Sequence, residues 1–178
     1  MFCCAERETR KKEFSFILLG LENAGKTAFL KRLMTNEFEA PTPTKGFSTH
    51  KFTYDGLTIT LADTSGKKER RPYWSEYLHD KDGLIWVIDS SDENRIEESQ
   101  VELKILVDEV VGPTDLPLLV LCNKSDKQGL SPAAIEARLG LKKLKSKYYS
   151  VQGCSAFKGN GVIDGFDWLL GACQPKKK

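Results

Sequence analysis

The segment Gly20-Leu21-Glu22-Asn23-Ala24-Gly25-Lys26-Thr27 sets two glycines four residues apart and follows the second with Lys-Thr. That spacing builds a phosphate cradle, in which the backbone N–H groups of a tight loop and the positive end of the helix it opens converge on one anion. On this reading the contacts come from Glu22, Asn23, Ala24, Gly25, Lys26, Thr27 and Ala28. Gly25 lets the backbone approach without a Cβ in the way, Lys26 puts a point charge at the outer phosphates, and the Thr27 hydroxyl is a ligand for Mg²⁺. By itself the loop specifies a phosphorylated ligand and no particular base.

Asn123-Lys124-Ser125-Asp126, at the end of an apolar run, is the sort of site that can read the base, although Asp126 taken alone could equally be an ordinary loop carboxylate. The Asp126 carboxylate can accept from both the N1–H and the 2-amino group of guanine, whereas adenine offers neither donor on that edge. A desolvated carboxylate left without partners is costly, so such a site rejects the wrong base by roughly 10⁴ or more. Asp63 and Ser155-Ala156 close two further apolar runs, and the C-terminal ends of strands are where open α/β sheets bind ligands.

These residues need elements to hold them. Phe14 to Leu19 is an apolar run of strand length before the phosphate loop, and Ala28, Phe29, Leu30, Leu33 and Met34 recur at helical spacing after it. Pro41 to Gly46 contains two prolines and a glycine and reads as a loop. Phe47 to Tyr54 and Leu57 to Ala62 flank Asp55-Gly56, a two-residue hairpin signal. Gly83 to Ile88 and Leu118 to Cys122 are apolar throughout, as buried parallel strands are, and Tyr148 to Cys154 is the last strand. Ser90 to Glu93 predicts a capping box opening a helix that carries Ile96, Leu103, Leu106 and Val110 and stops at Gly112-Pro113. Ser131-Pro132 opens a short helix ending near Gly140, and Val162, Phe166, Leu169 and Leu170 give the last helix its apolar face.

A chain of 178 residues suits one domain with a full core. No apolar run approaches the roughly 20 residues of a membrane span. The early charges of the N-terminus leave no signal-peptide core, so a cytoplasmic protein with reduced cysteines is expected. A net charge of +2 carries no nucleic-acid footprint. Lys142, Lys143, Lys145 and Lys147 read as a solvated link rather than a docking patch. Cys122 and Cys154 read as small core hydrophobes.

The chain resembles the Ras-type small GTPases, and within them the Arf/Arl (ADP-ribosylation-factor-like) branch. The resemblance runs from about residue 14 to 172, leaving residues 1–13 as an N-terminal tail and 173–178 as a basic C-terminal tail. It is carried by Gly20 to Thr27, Pro43-Thr44-Lys45-Gly46-Phe47 as switch I, and Asp63-Thr64-Ser65-Gly66 as the entry to switch II. Arg71-Pro72-Tyr73-Trp74, Asn123 to Asp126, Cys154-Ser155-Ala156 and Gly165-Phe166-Asp167-Trp168-Leu169 complete it. It implies an α/β three-layer P-loop fold with a six-stranded, mostly parallel sheet, one antiparallel strand and helices on both faces. It also implies a monomer that cycles between GDP and GTP with Mg²⁺ and hydrolyses GTP. The resemblance gives Thr44 as a Mg²⁺ ligand and γ-phosphate sensor, Asp63 as a Mg²⁺ partner through water, and the Gly66 N–H as a γ-phosphate contact. Lys124 packs on the base, and the Ser155-Ala156 backbone meets the guanine oxygen. Effectors at the switch regions, an exchange factor and an activating protein are implied, as is a role in intracellular trafficking. Gly46-Phe47-Ser48 and Gly66-Lys67 are closer to cilia-associated Arl proteins.

Departures from the family pattern matter as much. Lys67 stands where the family usually has the Gln that orients attacking water, and an ammonium cannot accept as an amide does. Hydrolysis through Lys26, Thr44, Gly66 and Lys67 is therefore expected to be slow without a partner, and the alternative is a guanine-nucleotide module with little or no turnover. A metabolite kinase is disfavoured by the guanine motif. Ala62 replaces the family's usual Trp in an aromatic cluster with Phe47 and Tyr77, which points to different effectors. Phe2 excludes N-myristoylation, which needs a glycine there. Cys3 and Cys4 either carry acyl chains that tether the domain reversibly to a membrane or are free thiols on the tail.

Overall fold

The computed structural model describes residues 12–40, 42, 44, 46–143 and 148–174. Cys3, Cys4, Pro41, Pro43, Lys45, Lys145, Lys147 and the basic tail from residue 175 lie outside the described residues. In chain order the elements begin with β1 (Glu13–Leu19), α1 (Lys26–Thr35), β2 (Phe47–Tyr54) and β3 (Leu57–Thr64). A 3₁₀ turn (Lys68–Tyr73) then leads into α2 (Trp74–Tyr77), β4 (Gly83–Asp89) and α3 (Ile96–Leu106). The chain finishes with α4 (Gly112–Thr114), β5 (Leu118–Asn123), α5 (Pro132–Leu139), β6 (Tyr149–Gly153) and α6 (Val162–Cys173).

The sheet runs β2-β3-β1-β4-β5-β6. Only β2 is antiparallel, paired with β3 through the turn at Asp55-Gly56, whose φ values of 46° and 74° match the twist of a two-residue hairpin. Every other neighbouring pair is parallel. The fully apolar strands are explained by burial on both faces, with alternate residues serving alternate layers. Leu84, Trp86 and Ile88 of β4 pack with Ile96 and Leu103 of α3 and Ile135 and Leu139 of α5. The intervening Ile85 and Val87 pack with Phe29 of α1 and with Phe166 and Leu169 of α6. Each such large side chain contributes about 1.5–3 kcal/mol on burial. This is the three-layer arrangement expected, and no helix among the described residues is long and apolar enough to cross a membrane.

β1 lies between β3 and β4, so the chain crosses to one side of it early and to the other side later. The loop leaving β1 therefore opens at a reversal of strand order, the place where α/β sheets leave a crevice. Residues Gly20 to Gly25 occupy it.

Several local expectations are corrected. β1 begins at Glu13, one residue before the expected apolar run, paired with Thr58, and α6 continues to Cys173. Ser90 does not cap a helix; it is buried, and its hydroxyl donates to the Asn123 carbonyl at 2.7 Å. A 3₁₀ turn at Glu93–Arg95 precedes α3 instead. Nor does the helical path stop at Gly112, since a π turn (Val107–Val111) carries it into α4. Pro113 lies within α4, and the path ends at Asp115 in the left-handed region. Ser131 does cap α5 as expected, accepting from the Ala134 N–H at 3.2 Å.

Candidate nucleotide site

A cleft of about 620 Å³ opens at the C-terminal ends of β1 and β3, lined by Gly25, Lys26, Thr27, Thr44, Gly66 and Lys67 among others. Glu22, Asn23 and Lys124 also line it. Its floor is the loop before α1. Gly25 has φ of 95°, and a Cβ there would lie 2.2 Å from the Asn123 side-chain nitrogen. Glycine is thus required both by the backbone and by the approach of a residue 98 positions away, a constraint beyond the phosphate approach read from the sequence. Lys26 is buried, and its ammonium donates to the Gly20 and Leu21 carbonyls at 2.9 and 2.8 Å. Burial lowers its pKa to about 8, only partly offset by Asp63. Carbonyls stabilise an ammonium less well than phosphate oxygens would, so the side chain is held ready for a stronger anionic partner.

Three oxygen-bearing side chains meet beside it. The Thr27 hydroxyl donates to Asp63 Oδ2 at 2.5 Å, the Thr44 hydroxyl reaches the same oxygen at 3.2 Å, and the two hydroxyls lie 2.8 Å apart. The other carboxylate oxygen of Asp63, Oδ1, is buried with no hydrogen-bond partner among the described residues. An orphaned carboxylate oxygen next to two hydroxyls is a donor set for a hard, oxygen-seeking cation, and Mg²⁺ fits it. β3 delivers Asp63, and it runs one residue further than expected, to Thr64, whose hydroxyl donates to the Leu18 carbonyl of β1 at 2.8 Å.

The segment expected to read the base is assembled from two other strand ends. Asn123 is buried at the end of β5; its amide donates to the Ala24 carbonyl at 2.9 Å and its Oδ1 accepts from the Ala156 N–H at 3.0 Å. One side chain thereby fastens the phosphate loop to the loop after β6. Asp126 is held by the Ser155 hydroxyl. Lys124 pairs with Asp89, the last residue of β4, at 2.6 Å. Burial pushes the Asp89 carboxyl up, but hydrogen bonds from Lys124 and Ser91 outweigh it and hold the group below the usual carboxylate range. Cys154 and Cys122 are buried nearby, and desolvation raises both thiols to about 12, which suits packing rather than reactivity.

Every expected site residue thus falls at one edge of the sheet, though not all face the cleft. Ala28 is buried in the first turn of α1, and Ala24 contributes its carbonyl to Asn123. Phe47 and Tyr77 are in ring contact at 5.0 Å with Phe47 exposed, while Ala62 of β3 is buried in the core cluster against which Tyr77 packs. Sequence reasoning missed three groups. Asp89 had a signal, an acid closing a buried strand. Arg32 of α1 had none; its guanidinium donates to the Ala156 carbonyl at 2.9 Å and to the Phe157 carbonyl, bracing the loop after β6. Arg71 stood in the sequence only as part of the family-like run Arg71-Pro72-Tyr73-Trp74, and its partners on α3 had no signal.

Comparison with known proteins agrees with this geometry. The sequence pattern of the ADP-ribosylation factor family matches residues 3–173. ADP-ribosylation factor-like protein 3 of Chlamydomonas reinhardtii is 40% identical over 167 residues, spanning 92% of this chain and 94% of its own length. ADP-ribosylation factor-like protein 2 of Arabidopsis thaliana is 38% identical over 165 residues, spanning 90% and 88%. Among solved structures, the Arl6 BBS3 small GTPase of Trypanosoma brucei, which holds the nucleotide analogue GppNp, superposes with a TM-score of 0.82. It is 27% identical and covers 90% of this chain and 97% of its own. A phosphate loop at the crevice of a mixed six-stranded sheet, matched along nearly its whole length by these relatives, makes the chain a member of the ADP-ribosylation factor (Arf/Arl) family.

Proposed function

We propose that the protein is a guanine-nucleotide switch that binds GDP and GTP with Mg²⁺ and hydrolyses GTP slowly. The observation that carries this reading is Asn123, which joins the phosphate loop at Ala24 to the base loop at Ala156, so that one ligand spanning both is bound by a single pre-formed frame. Asp126 supplies guanine selectivity, kept in place by Ser155. Mg²⁺ would be held by Thr27 and Thr44, with Asp63 behind, and when bound it neutralises charge on the phosphates. Lys26 meets the outer phosphates, and Gly66 offers its N–H to the terminal one. Loss of that phosphate frees Thr44 and Gly66, which changes the surface around Phe47 and Tyr77 that effectors read.

A second reading is favoured by one residue. Lys67 lines the cleft where an amide would orient water, so the protein is on that reading a guanine-nucleotide module with little turnover. Kinship with Arf-like proteins supports a role in intracellular trafficking, from the cytoplasm or at a membrane or cilium, with effectors, an exchange factor and an activating protein as partners. Acylation of Cys3 and Cys4 is the anchor we propose for the membrane-bound fraction.

Guanine selectivity is tested by titrating purified protein with labelled GDP, ATP and xanthosine diphosphate. The parent prefers GDP, and Asp126→Asn shifts preference toward the xanthine nucleotide, because the amide complements an acceptor at position 2 of the base. Equal affinity of the parent for ATP and GTP would sink the proposal.

A further inference from the structure

Arg71 lies in the 3₁₀ turn after β3, far from where a surface guanidinium would be expected, with its side chain almost wholly buried. Its Nε donates to the Gly66 carbonyl at 3.1 Å, and its Nη1 donates to Glu98 and Glu102 of α3 at 2.8 and 2.9 Å. The second oxygen of Glu98 accepts from Arg95 Nε at 3.2 Å, and Arg95 Nη1 donates to the Glu22 carbonyl at 3.0 Å. An unbroken path of charge-assisted hydrogen bonds therefore runs from the Gly66 carbonyl through Arg71, Glu98 and Arg95 to the phosphate loop. The two ends also touch directly, since a Cβ on Gly66 would lie 2.3 Å from the Glu22 nitrogen.

The arrangement is poorly explained by stability alone. Arg71 Nη2 is buried without a hydrogen-bond partner among the described residues, and a buried ion pair with an unmet donor gains little over an apolar packing of similar volume. What it does secure is direction. The Gly66 carbonyl is pinned, and with it the turn from Gly66 to Lys67, both of which line the cleft.

We propose that Glu98 is a positioning residue for recognition of the terminal phosphate, holding Arg71 so that Gly66 is presented against the phosphate loop and GTP is favoured over its diphosphate. This deepens the guanine-switch reading and rests on it. GDP has no group to meet Gly66, so this path bears on its affinity only through the Arg95 contact to the Glu22 carbonyl, and far less than on that of GTP.

The experiment is a titration of full-length parent, Glu98→Gln and Arg71→Lys with GDP and with a non-hydrolysable GTP analogue, alongside thermal melting. Gln keeps the size of Glu98 but removes its charge, and Lys keeps the charge of Arg71 but cannot bond the carbonyl and the carboxylates together. The expected result for both is about tenfold weaker binding of the GTP analogue, within the range usual for coupled sites, with GDP affinity changed less than about twofold. Equal weakening of both nucleotides would show a merely structural contact and overturn the proposal, as would an unchanged ratio. Should Glu98→Gln fail to fold, Arg71→Lys decides alone. A parent that binds neither nucleotide would instead remove the guanine-switch reading itself.

Discussion

Replacing Asn123 with Ala tests whether the two halves of the site act as one frame. The substitution removes the amide that donates to the Ala24 carbonyl at 2.9 Å and the oxygen that accepts from the Ala156 N–H at 3.0 Å. Both backbone groups are left without partners beside a side chain that is only 2% exposed. An unmade buried hydrogen bond costs about 1–3 kcal/mol, so the two together cost about 4 kcal/mol if neither is rehydrated. The neighbouring cleft admits water, and partial rehydration brings the figure down to about 2–3 kcal/mol. For a chain of this size each kcal/mol lowers Tm by roughly 2–4 °C, giving an expected fall of about 4–12 °C. Nucleotide affinity falls as well, because the loops must be brought together at the expense of binding, and a loss of about 2 kcal/mol is roughly 30-fold. Melting of the free protein by circular dichroism and GDP titration with a fluorescent nucleotide read the two effects separately. Asn123→Asp is the sharper control. It keeps an acceptor for Ala156 but turns an acceptor toward the Ala24 carbonyl, so at neutral pH it is expected to be no better than Ala. It recovers partly as pH falls, since a protonated carboxyl can donate. A Tm within about 1 °C of the parent and unchanged GDP affinity for Asn123→Ala would refute the joined-frame reasoning.

Two further outcomes follow from single residues in the cleft. Lys67→Gln is expected to speed single-turnover GTP hydrolysis by about tenfold or more, general positioning of a water being worth that order; parent rates equal to or above the variant's would give Lys67 a different role, such as charge stabilisation. Lys26 has a pKa lowered by burial to about 8, against an ordinary value of 10.5. Between those values the unfolded chain binds more protons at this lysine than the folded one, so its contribution to the stability of the free protein rises as pH increases through that window. Phosphate bound beside it stabilises the ammonium and raises its pKa, so nucleotide binding takes up a proton above about pH 8 and weakens as pH rises. Calorimetry of GDP binding at pH 8.5 in buffers of different ionisation enthalpy measures that uptake, which Lys26→Met should abolish; no uptake by the parent would contradict the assignment.

Local sequence determined the elements because the periodicities and turn residues that specify them lie close together in the chain. Gly20 to Thr27 after an apolar run, Asp55-Gly56 between alternating segments, and three apolar runs ending in Asp63, Asp89 and Asn123 were enough to place strands, hairpin and the edge of the sheet that carries the site. Expectations failed where a local signal competed with a distant partner. Ser90 resembles a helix cap, but the Asn123 carbonyl, 33 residues on, takes its hydroxyl. Strand order decided the rest. It brought Asn123 to Ala24 across 99 residues, Arg32 to Ala156 across 124, Lys124 to Asp89 across 35 and Arg71 to Glu98 across 27. An arginine and a glutamate at such separations carry no mark of each other in the sequence, because a hydrogen bond is specified by distance and direction, and those are fixed only when both faces of the sheet are packed.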